Sequence, residues 1–163
     1  MLKPTVQDAL NNQINAEVES AYLYLSMSAY FEARNFHGMA RWMRTQSGEE
    51  WKHAMKLFDY IVERGGRVAL QPIAAPRAEW ASVLDAFENA YKHECKISGM
   101  IHCLVKMADS EADYATFNFL QWYVGEQVEE EAHASTIVEK LKMMGEGNVG
   151  LFMLDGELAR RAE

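Results

Sequence analysis

Cysteine is scarce in this chain of 163 residues, and the two that occur exclude several kinds of site. Cys95 and Cys103 stand eight apart on one predicted helix, hence about 12 Å from each other, whereas a disulfide needs Cα atoms within about 7 Å. We therefore expect reduced thiols. No C-x-x-C pair occurs, which excludes a zinc knuckle and a rubredoxin-like iron centre.

An excess of positive charge and long apolar runs are also lacking. The 16 Lys and Arg residues are outnumbered by 24 Asp and Glu residues, giving a formal net charge of −8, whereas nucleic-acid binding needs a basic face. No stretch approaches 18 uncharged apolar residues, and the opening Met-Leu-Lys-Pro-Thr-Val lacks the apolar core of a signal peptide. We therefore expect a cytoplasmic protein with no nucleic-acid or membrane partner. An acidic balance still allows metal cations as partners.

Proline is the third scarce residue, with three in the chain. Two of them, Pro72 and Pro76, fall in a stretch of about 17 residues that begins with Gly65-Gly66 and ends at Ala81. Extended at about 3.3 Å per residue, this stretch reaches roughly 56 Å, whereas a helix of about 27 residues is about 40 Å long. It is therefore long enough to run the whole length of a helical bundle.

The rest of the chain has helical patterning. Apolar residues recur every three or four positions, and 49% of all residues are hydrophobic, which is enough for a core. The predicted helices cover about 5–34, 37–64, 82–109, 111–144 and 149–160. Capping pairs mark three helix starts, at Thr5 with Asp8, Ser82 with Asp85 and Ser110 with Asp113. We predict one all-α domain over 1–163, a four-helix bundle with one long crossover between helices 2 and 3 and a short fifth C-terminal helix.

One carboxylate stands in the middle of the apolar seam of each long helix, as Glu17, Glu50, Glu94 and Glu130. An isolated carboxylate is costly to bury unless it is paired. Two of the four begin an E-x-x-H motif that ends in His53 or His133, and residues three apart share a helix face. Carboxylate and imidazole ligands suit iron or manganese, and two divalent cations would cancel four negative charges. The sequence therefore predicts a dinuclear metal site inside the bundle.

Three local strings add a family resemblance to this pattern, namely AYLYLSM at 21–27, ERGGRV at 63–68 and EQVEEE at 126–131. With them, the chain resembles the bacterial non-haem ferritins, members of the ferritin-like di-iron carboxylate proteins, over essentially its full length. The resemblance implies a ferritin-like bundle that binds two irons per subunit and oxidises Fe(II) with O₂ or peroxide. It also implies storage of the ferric mineral in a hollow shell, a homo-24-mer.

The resemblance assigns roles to individual residues. It implies a first iron held by Glu17, Glu50 and His53, with Glu50 bridging, and a second iron held by Glu94 and Glu130. It implies a third, weaker iron site at Glu49, Glu126 and Glu129, with Glu130 shared. Tyr24 and Trp122 match aromatic residues beside the family's site that lend an electron or a hydrogen bond, and Gln127 matches a glutamine near the second iron.

Two positions depart from the non-haem pattern. His133 completes a second E-x-x-H as in the haem-containing bacterioferritins, which implies a further ligand to the second iron and a more firmly held metal. Its alternative role is a hydrogen-bonded side chain beside the site or facing the cavity. Trp51 follows Glu50 where those proteins carry their haem-binding methionine, so no haem is expected.

Other interpretations stay open at this point. A di-iron oxidase or peroxidase of rubrerythrin or bacterioferritin type would hold a stable di-iron cofactor, although the missing C-x-x-C module and the fifth helix count against rubrerythrin. A scaffold bundle that binds metal for structure alone would not oxidise Fe(II). For Glu49, Glu126 and Glu129 the alternative is a solvated acidic face, and for Tyr24 it is ordinary packing with a hydrogen-bonded hydroxyl.

Overall fold

The computed structural model describes residues 2–145 and 147–160. These residues form five α-helices and no strand: α1 (Pro4–Glu32), α2 (His37–Glu63), α3 (Val83–Ser110), α4 (Tyr114–Met144) and α5 (Asn148–Leu158). The four long helices make a four-helix bundle, so the predicted all-α fold, its crossover and its short fifth helix are confirmed. Within the described ranges, no helix combines the length and the apolar content that crossing a bilayer requires.

Tight turns join the long helices into two antiparallel hairpins, α1 with α2 and α3 with α4. After α1, Asn35 adopts a left-handed backbone (φ 61°) and the N–H of Phe36 donates to the carbonyl of Phe31. These features end α1 before the predicted Arg34. The hairpins meet through α1 and α3, whereas no Cα atom of α2 lies within 8 Å of one in α4. Side chains alone therefore fill the space between α2 and α4.

The segment between α2 and α3 follows α1 in the same direction. Its hydrogen bonds to α1, in chain order, join Asn11 to Arg67 (3.1 Å), Ser26 to Arg77 (2.7 Å) and Tyr30 to Trp80 (3.1 Å). The segment thus runs along most of the bundle and delivers the chain to the start of α3 near the end of α1. This is the crossover that its length predicted.

Of the three helix caps predicted from the sequence, for α1, α3 and α4, the structure contains one. Ser82 caps α3 as expected. The cap of α4 is Asp113, whereas Ser110 is the last residue of α3, so the predicted start of the fourth helix was wrong. The reason lies outside the local pattern, because Arg64 at the end of α2 lies 3.2 Å from the Asp113 carboxylate and fixes it in place. The predicted cap of α1 was also wrong, since that helix opens with Pro4 in its first turn and has no side-chain cap.

The short α5 packs against the beginning of α2. A Cβ atom on Gly38 would lie 1.8 Å from the carbonyl oxygen of Asp155, so this approach requires glycine. The Asp155 carboxylate accepts a hydrogen bond from the N–H of Met39 at 2.8 Å, which satisfies one of the free donors at the start of α2. Leu154 and Leu158 are buried in the core. A helix of 11 residues is marginal alone, and this packing stabilises it.

A polar layer divides the apolar core into two clusters. One cluster, which includes Phe31 and Phe87, extends to the end of the bundle where α5 packs. The other, which includes Leu10, Leu57 and Leu120, fills the opposite end. Between them all four long helices contribute buried polar side chains. Burying so many polar groups at one depth costs free energy unless they are paired with each other or with a ligand.

Candidate metal centre

Four carboxylates and one imidazole meet in the polar layer, each at most 6% exposed: Glu17, Glu50, His53, Glu94 and Glu130. We call these five residues the carboxylate layer. Each comes from near the middle of a long helix, on the seam that turns its apolar residues inward. Because the four helices lie side by side, one carboxylate at mid-length on each is enough to bring all four together.

Together with Glu126, the layer residues provide three sets of donor atoms, among the residues that the structure describes, that could each hold a metal ion, and the atoms of each set lie within 4.8 Å of one another. The first set is Glu17, Glu50 and His53, the second is Glu50, Glu94 and Glu130, and the third is His53, Glu126 and Glu130. Glu50 belongs to both the first and the second set. It therefore lies between two adjoining positions, as a bridging carboxylate must.

One fully buried carboxylate oxygen in the layer has no hydrogen-bond partner among the described residues. The Oε1 atom of Glu17 accepts from the amide of Gln13 at 2.8 Å, whereas its buried Oε2 atom has no hydrogen-bond partner among the described residues. The amide of Gln46 donates to both Glu50 and Glu130 and so links α2 with α4. A buried acceptor without a partner is costly, and a cation in the first set would satisfy it.

Glu94 is held by donors on both of its oxygens. The Tyr24 hydroxyl donates to Oε1, and the Gln127 amide donates to Oε2 at 3.1 Å. Gln127 also lies 3.3 Å from the hydroxyl of Ser98, which in turn donates to the carboxylate of Glu131. Gln127 therefore orients a member of the second set through its amide, and a chain of hydrogen bonds connects it to the surface of α4.

Burial raises the pKa of all four carboxyl groups. It raises the pKa of Glu17 to about 8, with help from the charge of Glu50, and the pKa of Glu130 to about 7, with help from the charge of Glu94. Burial also raises the pKa of Glu94 and places that of Glu50 well above its usual range. Without cations the layer thus retains protons near neutral pH. Bound cations would replace those protons, because they supply the positive charge that buried carboxylates lack.

The three glutamates predicted to form a third site are placed unequally. Glu126 enters the third set, and its carboxylate lies 3.8 Å from Nε2 of His53. Glu49 lies outside all three sets, although its negative charge contributes to the raised pKa of Glu130. Glu129 is exposed and also lies outside the sets. The geometry thus brings one of the three into the layer's donor sets.

The two E-x-x-H motifs end in different environments. His53 is 5% exposed, its Nδ1 lies 3.3 Å from Glu50, and its ring packs edge-on against Trp122 with centroids 5.3 Å apart. His133 is exposed and belongs to none of the three sets. Residues three apart on a helix differ in direction by about 60°. On α4, Glu130 therefore lies on the buried face, whereas His133 lies at the exposed side of that face.

This arrangement has counterparts among known proteins. The family model described as Ferritin-like domain matches residues 7–144, which is most of the chain. The chain belongs to the ferritin family. The family resemblance predicted from the strings and the four seam carboxylates is thereby confirmed.

Relatives of this ferritin match it over nearly its whole length. It is 44% identical over 161 residues to the bacterial non-heme ferritin of Bacteroides fragilis (strain 638R), covering 99% of this chain and 100% of the relative. It is 41% identical over 159 residues to the bacterial non-heme ferritin of Escherichia coli O157:H7, covering 98% and 96%. Its structure is also similar to that of a protein described as a novel open pore ferritin from the hyperthermophilic archaeon Archaeoglobus fulgidus, with a TM-score of 0.98. The two sequences are 54% identical, and the match covers 99% of this chain and 100% of the archaeal chain.

Several side chains that support the site in this ferritin had no predicted role. Gln13 and Gln46 each lie four residues before a layer carboxylate that they contact, a spacing that could have identified them. Ser98 and Glu131 support Gln127 across the interface of α3 and α4. No local signal marks them, because the contacts exist only once the two helices are packed.

The exposed position of His133 leads to a prediction. We expect His133→Ala to change metal affinity at the second set by no more than about twofold, as for an exposed side chain away from the site. The matched change on the same helix, Glu130→Ala, should lower that affinity by about 10-fold or more. Calorimetric titration of the metal-free protein with Co(II) measures both. A loss in His133→Ala as large as that in Glu130→Ala would show that the imidazole reaches the second metal.

Proposed function

We propose that the carboxylate layer is a ferroxidase centre, where this ferritin oxidises Fe(II) before storing it as ferric mineral. The observation that carries the proposal is that Glu50 is shared by two adjoining sets of buried oxygen and nitrogen donors. Two iron ions on a common carboxylate are held next to each other, which suits the removal of one electron from each. Iron storage is the function of the ferritin family, and its members in general oxidise iron.

Each layer residue has a defined part in this proposal. Glu17 and His53 bind one Fe(II), Glu94 and Glu130 bind the other, and Glu50 bridges the pair. As iron enters, the carboxyl groups release the protons that burial makes them retain. The resulting carboxylates stabilise Fe(III) more than Fe(II), because Fe(III) carries the larger charge.

The oxidation balances with either oxidant. A pair of Fe(II) ions gives up two electrons and becomes a pair of Fe(III) ions. If O₂ is the oxidant, it takes both electrons and two protons and leaves as H₂O₂. If H₂O₂ is the oxidant, it takes two electrons and two protons and yields two water molecules. The carboxyl groups release protons when iron binds, and these protons are one source of the two protons that the oxidant takes up.

Side chains around the layer complete the proposed mechanism. Tyr24 and Gln127 orient Glu94 through its two different oxygens. We propose Trp122, whose ring packs edge-on against His53, as an electron donor. Glu126, whose side chain is 32% exposed, connects the layer with the surface between α2 and α4. We propose that Glu126, with Glu49 and Glu129 beside it, forms a weaker site through which iron passes to the mineral.

The stored mineral requires a shell, and we propose a cytoplasmic assembly of 24 identical subunits. Similarity to ferritin structures, one described as an open pore ferritin, supports self-association. Large apolar side chains such as Leu70 and Phe152 are exposed on a single chain, and assembly would cover them. A formal charge of −8 on each subunit would concentrate cations at the shell. No haem is proposed, because Trp51 stands beside Glu50 where a haem-binding methionine would be needed.

Iron loading tests storage directly. When several hundred Fe(II) ions per proposed shell are added to the metal-free protein in air, we expect iron to co-elute with protein from a sizing column. The eluting particle should have the size of about 24 subunits. Uptake of only about two irons per chain, with the rest precipitating, would instead indicate an oxidase with a fixed di-iron cofactor. Oxidation no faster than in buffer alone would indicate metal binding for structure only.

A further inference from the structure

Two neighbouring contacts tie α1 to α3 beside the second set. The Tyr24 hydroxyl donates to Oε1 of Glu94, and one turn earlier on α1 the hydroxyl oxygen of Ser20 lies 2.7 Å from Nε2 of His93. The rings of Tyr24 and His93 also meet edge to face, with centroids 6.1 Å apart and planes at 88°. His93 therefore contacts both α1 residues, although it is not part of any of the three donor sets.

The direction of the Ser20 hydrogen bond follows from its second partner. The Ser20 hydroxyl lies 2.9 Å from the carbonyl oxygen of Ala16, which can only accept. The single hydroxyl proton is thus committed to the backbone, and the serine oxygen accepts from the N–H at Nε2 of His93. The imidazole is consequently fixed in one tautomer and tied through Ser20 to the backbone of α1.

We propose that His93 is a positioning residue for the second iron position, and that it acts through Tyr24. Held by Ser20, the imidazole packs against the Tyr24 ring and keeps the tyrosine hydroxyl directed at Glu94. Glu94 then presents its lone pairs to the metal in one orientation, because Tyr24 and Gln127 hold its two oxygens. The role of His93 rests on the proposed metal centre. It concerns the second set only, because neither Ser20 nor His93 makes a hydrogen bond or ring contact with Glu17, Glu50 or His53 among the described residues.

Titration with Co(II), a spectroscopic probe that does not need O₂, tests the role apart from iron oxidation. In His93→Phe an aromatic ring stays but the hydrogen bond to Ser20 is lost, and we expect Co(II) affinity at the second position to fall about 10-fold with the first position unchanged. Ser20→Ala breaks the same bond from the other side and should act in the same direction. Ser20→Thr, which keeps a hydroxyl acceptor, should bind as the parent does.

Combining His93→Phe with Tyr24→Phe tests whether His93 acts through the tyrosine hydroxyl. If His93 acts through the tyrosine hydroxyl, His93→Phe should cause no further loss of Co(II) affinity once that hydroxyl is absent. An equal loss at both metal positions, or a loss of the same size with and without the hydroxyl, would overturn the proposal. If His93→Phe and Ser20→Ala both bind Co(II) as tightly as the parent, the role of His93 is overturned. The metal centre itself still stands in that case, provided that the parent binds Co(II) at both positions. A parent without Co(II) binding would contradict the metal centre and the role of His93 together.

Discussion

Replacing Glu50 with alanine is expected to lower the rate of Fe(II) oxidation to that of buffer alone. Glu50 is the one residue that the first and second donor sets have in common. In the proposed centre, its removal takes one ligand from each position and the bridging carboxylate from the pair of irons. A two-electron oxidant then meets single Fe(II) ions that are no longer held as a pair. Stopped-flow absorbance of ferric products, with the variant and the parent at equal Fe(II), measures the difference.

The variant should still fold and assemble. Glu50 is buried, and burial together with the charges of Glu94 and Glu130 raises its pKa, so removing its carboxyl group relieves an unfavourable burial in the metal-free chain. Glu63→Ala, at the exposed end of the same helix, is the matched control and should oxidise Fe(II) as fast as the parent. Fast oxidation by an assembled Glu50→Ala protein would place the ferroxidase centre elsewhere.

Metal-free protein is expected to become less stable as the pH rises from about 5 to about 8, and divalent cations should reverse the trend. The pKa of Glu17 is about 8 in the folded chain against 4.5 for an ordinary glutamate. When the pKa of a carboxyl group is higher in the folded chain than in the unfolded chain, the stability that it contributes is fully present below its unfolded-state pKa. That stability is lost as the pH rises through its folded-state pKa. Glu17 alone would lose about 4 kcal/mol over these pH units. The other three carboxyl groups are shifted the same way, so we expect a loss of about 4 kcal/mol or more per chain, or roughly 10 °C or more in Tm.

Differential scanning calorimetry after chelator treatment measures this loss, and Glu17→Gln is its matched control. The introduced amide would keep an oxygen that accepts from Gln13 but would not titrate, so the variant should lose less stability between pH 5 and 8 than the parent. Saturating Mn(II) should raise the Tm of the parent more at pH 8 than at pH 5, because fewer protons then compete for the carboxylates. A parent and variant with the same pH profile would show that Glu17 does not retain its proton in the fold.

The fold was predictable because its signals are local. The 3.6-residue period of the apolar positions gave four long helices, and the length of the segment ending at Ala81 gave the crossover that the hydrogen bonds along α1 confirm. The start of α4 was not predictable in this way. Ser110 and Asp113 are both acceptable caps by sequence, and Arg64, from another helix, selects Asp113.

By itself, the sequence determined which four carboxylates meet, because a glutamate in the middle of an apolar seam has to face the interior wherever the seam does. Only the tertiary structure decided what surrounds them. His53 and His133 occupy the same place in the same motif, and the rotation of each helix about its own axis buries the first and exposes the second. The contacts from Gln46 to Glu130, from Tyr24 to Glu94 and from Ser20 to His93 likewise join different helices. Helical periodicity specifies which face of each helix is buried, whereas helix packing determines which residues of two such faces touch.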